Sequence, residues 1–93
     1  MKRYPIEPGS VVISTAGRDQ GRMYMVIERL DEDFVTIANG KLRTMDRLKK
    51  KRVKHLKPTG AIVQEYAERQ GAPAEDHEIR SWLKREEEKL VQV

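Results

Sequence analysis

Apolar positions in the first part of the chain come in short runs separated by turn signals. Val11, Val12 and Ile13 follow the turn pair Pro8-Gly9 and predict a first strand. Met23 to Ile27, the longest unbroken apolar run, predicts a second, bounded by Gly21 and by Asp31-Glu32-Asp33. Phe34 to Ala38 predicts a third, closed by Asn39-Gly40. An Asn-Gly pair is the strongest short hairpin signal, because both residues tolerate the positive φ of a type I′ turn. A two-residue loop there sets Ala38 opposite Lys41, Ile37 opposite Leu42, Thr36 opposite Arg43 and Val35 opposite Thr44. Val35, Ile37 and Leu42 then share a core face, and Thr36, Ala38, Lys41 and Arg43 share a face open to a ligand. A last strand is expected over Val53 to Leu56, with no alternation that assigns its faces. Five short strands in about 50 residues predict a small closed or nearly closed barrel, because closure removes exposed strand edges.

The pattern changes near Lys57-Pro58-Thr59-Gly60. Ile62, Val63, Tyr66 and Ala67 recur at helical spacing, with Thr59 as the expected N-cap. Gly71-Ala72-Pro73 interrupts them, and a second helix is expected from about Ala74 to Leu90. Ile79, Trp82, Leu83 and Leu90 form its apolar stripe, with Asp76–Arg80 and Lys84–Glu88 as i, i+4 charge pairs. Helices this short need a surface to pack on. The expected division is therefore a barrel over residues 1–58 and a helical extension over residues 59–93 that packs on or flanks it. No internal repeat, low-complexity segment or long linker is visible.

Composition narrows the function. The chain has 93 residues, 37% of them charged, against about 25% in an ordinary soluble domain. The longest apolar run is far short of the ~20 residues of a membrane span, and the first residues carry no apolar signal-peptide core. Cysteine is absent, which removes disulfides, Cys-ligated zinc and thiol catalysis. A cytoplasmic protein is the expectation.

The net charge of +4 matters less than its placement. Residues 41–57 hold nine cations against Asp46 alone, a local +8, whereas residues 31–40 and 58–93 are each −3. Such concentration suggests a polyanionic partner. The strip comprises Lys41, Arg43, Arg47, Lys49, Lys50, Lys51, Arg52, Lys54 and Lys57. Cations of this kind supply most of the non-specific affinity for nucleic acid, by releasing counterions from phosphates. A second candidate is the loop Gly17-Arg18-Asp19-Gln20-Gly21-Arg22: its glycines let the backbone approach a partner, and its arginines can fork onto phosphate oxygens. On residue chemistry alone, a solvated hairpin is an equal account of this loop.

The segment Ala16 to Arg22, preceded by Val11-Val12-Ile13 and followed by Val26-Ile27, resembles a KOW motif, with Gly17 at its turn and Gly21 as its hallmark glycine. Phe34-Val35-Thr36-Ile37 before a glycine turn, then Arg52-Val53-Lys54-His55-Leu56-Lys57-Pro58-Thr59, resembles the fourteen-e family of large-subunit ribosomal proteins. The two together cover about residues 9–59. Where many KOW sequences carry a further glycine, Met23-Tyr24 stand instead. The resemblance implies a mainly β, SH3-like five-stranded barrel with a tail of two short helices, and it implies RNA binding, most of all to ribosomal RNA. It favours an RNA-contacting role for the Gly17–Arg22 loop.

The aromatic residues Tyr4, Tyr24, Phe34, Tyr66 and Trp82 are scattered, with no clustered platform for stacking bases. Structured RNA, contacted through backbone and shape, is therefore expected. His55, among Arg52, Lys54 and Lys57, is a candidate RNA contact, although packing at the barrel rim accounts for it as well. His77 lies in an acidic helix start, far from His55, so no short-spaced two-histidine metal site exists. No nucleophile–base pair is visible, and Glu86-Glu87-Glu88 reads as a solvated face. Trp82 is expected to anchor the second helix on the barrel, and the competing role is an exposed docking anchor.

The expected function is non-enzymatic RNA binding by a monomer, with no cofactor, no metal and no membrane, and with ribosomal proteins as further partners. Its rival is a protein-interaction module of the transcription or translation machinery, as in NusG-type factors, and DNA binding stands third.

Overall fold

A computed structural model describes the backbone of residues 5–91 and the side chains of residues 5–89. Five strands form one antiparallel sheet: β1 Ser10–Ser14, β2 Met23–Arg29, β3 Phe34–Ala38, β4 Lys49–Arg52 and β5 Leu56–Ile62. Their order is β4-β3-β2-β1-β5, so the first four make a meander and β5 returns to pair with β1. A 3₁₀ turn, Val53–His55, carries the chain from one edge strand to the other. The result is the mainly β, SH3-like barrel the sequence predicts, followed by a helical tail: α1 Gln64–Ala67, a single turn, and α2 Asp76–Val91.

Side chains alternate across β1 and β2, and both of their faces are covered. Val12, Tyr24 and Val26 point inward, where they meet Ile6, Val35, Ile37 and Leu56. Val11, Met25 and Ile27 point outward, where Ala38 and the tail residues Val63, Tyr66, Ala74, Ile79, Trp82 and Leu83 enclose them. A strand buried on both faces reads as an unbroken apolar run, which is why Met23–Ile27 shows no alternation. Tyr66 donates its hydroxyl proton to the Ile27 carbonyl at 3.1 Å and ties α1 to β2. Trp82, 7% exposed, packs on Tyr66 with ring centroids 6.4 Å apart, and the Arg69 guanidinium lies 5.2 Å from the indole. Trp82 is thus the helix anchor, and burial excludes the exposed docking role. Leu90, the last residue of the expected stripe, lies outside the described side chains.

Four local expectations are corrected. The Asn39-Gly40 pair does turn the chain, but it does not start a two-residue hairpin. Phe34 to Ile37 pair with Arg52 to Lys49, so residues 39–48 form a long loop and Leu42 is exposed instead of core. The Asn39 side chain explains the difference: its Oδ1 accepts from the Lys41 and Arg43 amides, both at 3.0 Å, and locks a local turn that leads away from the sheet. The expected last strand, Val53 to Leu56, is instead mostly the 3₁₀ turn. The expected first helix is mostly β5: the Thr59 hydroxyl donates to the Val11 carbonyl at 2.9 Å across the sheet and caps nothing. Finally, Glu86 is not solvated with its neighbours. It falls on the buried side of α2 with Ile79, Trp82 and Leu83, 7% exposed, and pairs with Lys89 at 3.4 Å.

The expected Asp76–Arg80 pair is also replaced. Asp76 accepts from the Met45 amide at 2.8 Å, and Arg80 donates to the Gly40 carbonyl at 2.5 Å. Both side chains seat the start of α2 on the 39–48 loop. Gly40 has φ +77°, and a Cβ there would lie 2.5 Å from the Asp76 carbonyl oxygen, so this joint requires glycine.

Candidate nucleic-acid interface

The β1–β2 connection covers one mouth of the barrel. Gly21 donates to the Ser14 carbonyl at 2.8 Å and Ser14 to the Arg22 carbonyl at 3.0 Å, which closes the base of the loop. Within it, Gln20 bonds back to Gly17 and Arg22 to Asp19. Gly17 and Gly21 have φ +84° and +89°, and these left-handed turns leave Arg18, Gln20, Gly21 and Arg22 exposed.

Asp19 points the other way, into the barrel. Its Oδ1 accepts from the Ser14 hydroxyl at 2.9 Å and from Lys51 Nζ at 3.1 Å. Its Oδ2 accepts from the Tyr24 hydroxyl at 3.2 Å and Lys49 Nζ at 3.3 Å. Lys51 also donates to the Ala16 carbonyl at 3.1 Å, so one ammonium holds two points of the loop. Burial pushes the Asp19 carboxyl up, but the hydrogen bonds from Lys51, Ser14 and Lys49 outweigh it and hold the group well below the usual carboxylate range. Burial and the adjacent Asp19 charge push the Tyr24 hydroxyl up.

This network divides the predicted basic strip. On β4, Lys49 and Lys51 point inward to Asp19, and Lys51 is buried, 8% exposed. Lys50 and Arg52 point outward and lie 4.5 and 5.2 Å from the centre of the Phe34 ring. The run Lys49-Lys50-Lys51-Arg52 is therefore not one surface, and two residues of the predicted contact set, Asp19 and Lys51, are enclosed.

Other members lie on elements that neighbour this loop. Gly21 and Arg22 line one groove together with Asn39, Lys41 and Leu42, which places the 15–22 and 39–48 loops side by side. Lys41 and Arg47 are exposed on the second loop. Thr15 donates to the His55 carbonyl at 2.9 Å, so the 3₁₀ turn with exposed Lys54 and half-buried His55 abuts the first loop. Lys57 is exposed on β5 opposite Ile13. Sequence reasoning missed Ser14, Tyr24 and Phe34 as partners of these charges. A tyrosine inside an apolar run was the available signal, since a buried phenol needs a polar partner.

No family model matches the chain. Among curated proteins it is similar to large ribosomal subunit protein eL14 of Desulfurococcus amylolyticus, 37% identical over 58 residues, 62% of this chain and 60% of that protein. Similarity to eL14 of Staphylothermus marinus is 33% over 58 residues, with the same coverage. For eL14 of Methanococcus maripaludis it is 40% over 58 residues, 62% of this chain and 69% of the relative. The chain spans about three fifths of the length of the first two.

Proposed function

This chain belongs to the family of large ribosomal subunit protein eL14, and on that premise we propose that it binds ribosomal RNA through the loops over one barrel mouth. The observation that carries the reading is the mouth itself: exposed cations on two adjacent loops, the first of them held from beneath by a buried carboxylate. Arg18 and Arg22 grip phosphates by forked hydrogen bonds, and the glycine backbone between them allows close approach. Lys41, Arg43, Arg47, Lys54 and Lys57 add attraction around them, with His55 at the rim. Lys49, Asp19 and Lys51 act one layer below and fix the loop against the β4 backbone. Lys50 and Arg52 serve a second, weaker contact on the outer face.

The role is structural and non-enzymatic, carried out where the ribosomes are, in the cytoplasm, with ribosomal proteins as neighbours. The interaction-module role drawn from NusG-type factors finds no support in the relatives found. Binding to large-subunit RNA across a salt series tests the proposal. With about six phosphates contacted, log affinity falls with log salt at a slope of about −4 to −5. The double change Arg18→Glu, Arg22→Glu reduces that slope by about 2 and weakens binding far more than Lys50→Glu, Arg52→Glu. A slope near −1, or the opposite ranking of the two double variants, would reject the mouth as the contact surface.

A further inference from the structure

An open groove of about 1010 Å³ adjoins the loops, between the end of the 15–22 loop, residues 39–42 and one side of α2. Its apolar lining is wholly aliphatic: Ile13, Met23, Leu42 and Leu83. Ile13 and Met23 are paired across β1 and β2 and half-buried, whereas Leu42 is 61% exposed, more than Leu30 or Ile62. The charged lining is Arg22, Lys41, Arg80 and Lys84 against Glu87 alone. Arg80 is fixed in place by its bond to the Gly40 carbonyl.

An aliphatic strip bordered by four cations and one acid complements a partner with aliphatic side chains among carboxylates. We infer that the groove docks an acidic segment of another protein, which covers Leu42 and pairs with Lys84, the lining cation that neither the RNA contact set nor the Gly40 joint uses. RNA is the poorer occupant on two grounds. No lining residue offers a ring on which a base stacks, and phosphates held by the cations would leave Leu42 in water. Leu42 and Lys84 belong to neither the RNA contact set nor the buried network, so they report on this surface alone.

The test puts a photocrosslinker at the exposed position, Leu42→benzoylphenylalanine, in the full chain mixed with large ribosomal subunits, with co-sedimentation followed in parallel. The expected result is a protein adduct whose crosslinked peptide carries carboxylates and aliphatic side chains, reduced about tenfold by Lys84→Glu. An RNA adduct, or no adduct from a chain that does co-sediment, overturns the docking site and leaves the RNA reading standing. Loss of co-sedimentation in the unmodified chain counts against the RNA reading instead. The groove is then decided on the isolated chain, by NMR titration with a short peptide of leucines spaced i, i+4 among glutamates. Shifts at the Ile13, Leu42 and Leu83 methyls that vanish in Lys84→Glu support docking. Absent shifts, or equal shifts from an oligouridylate, overturn it.

Discussion

The inner and outer faces of this sheet are built from alternating residues of the same strands, yet they are covered by different parts of the chain. On the inner face, Val12, Tyr24, Val26, Val35 and Ile37 are enclosed by the strands themselves, with Ile6 and Leu56. On the outer face, Val11, Met25 and Ile27 are covered because Val63, Tyr66, Ile79, Trp82 and Leu83 return from the tail. The inner face is sealed at one mouth by charge, Asp19 with Lys49 and Lys51. The outer face ends in an open groove. The two cationic loops are held from both sides: the 15–22 loop by Asp19 from within, the 39–48 loop by Asp76 and Arg80 from without. The inner core therefore forms from the strands and Ile6 without the tail, while the position of one of the binding loops depends on a helix whose Asp76 lies 31 residues beyond Met45.

Paired truncations of fully buried isoleucines break this comparison most forcefully. Ile37→Ala in the inner core costs about 4 kcal/mol and lowers every signal together in urea denaturation. Ile79→Ala in the outer core costs about 3 kcal/mol. It releases α2 first, so loss of helical circular dichroism and a red shift of Trp82 emission precede loss of the strand signal. Coincident transitions in both variants would show that the two faces form a single cooperative core.

Asp19→Asn tests the seal, and costs about 3 kcal/mol because it leaves Lys51 buried without its counter-charge. Its pH signature has a definite sign. The native carboxyl titrates below its unfolded value of about 3.9, so the unfolded state binds more protons between the two. The stabilisation is complete above that unfolded value and is lost as the pH falls through the native one. Thermal melts across the acid range should show this loss in the parent and a flatter profile in Asp19→Asn. Some slope persists, because hydrogen bonds from Arg85 and Arg69 lower Glu65 and Glu78 to about 2.

Gly40→Ala has the smallest effect, about 2 kcal/mol, from a Cβ forced to a positive φ and against the Asp76 carbonyl. Amide hydrogen exchange locates it: faster exchange at the start of α2 and at Met45, with β1 and β2 unchanged. Faster exchange throughout the barrel would mean that the loop joint supports the inner face as well.

These faces were unequally legible in the amino-acid sequence. The three N-terminal strands and the helix over Asp76–Val91 followed from apolar runs and punctuation, because each buries its own side chains. β4 did not, since Lys49-Lys50-Lys51-Arg52 contains no apolar residue to mark a strand. It is a strand because β3 supplies a partner and Asp19 supplies the counter-charge, and that carboxylate lies 30 and 32 residues from Lys49 and Lys51. β5 was hidden by Pro58-Thr59-Gly60, which resembles a boundary but runs through the sheet edge. The cations of the candidate site were plain in the sequence. Which of them face water was not, because that depends on side-chain parity along β4, set by a loop whose length the Asn39-Gly40 pair disguises.

The return of β5 to β1 has a consequence for the order of assembly. β1 to β4 meet as successive neighbours, with little chain entropy lost at each step, whereas Ser10 must find Ile62 and Ser14 must find Leu56. The closing ladder is the most entropically demanding and uses the latest residues of the barrel. During synthesis the 15–22 loop is made long before Lys51, the ammonium that seats it. The nascent chain thus carries its foremost arginines on an unseated loop until β4 emerges, so a preformed RNA grip is a property of the finished barrel and not of its first hairpin.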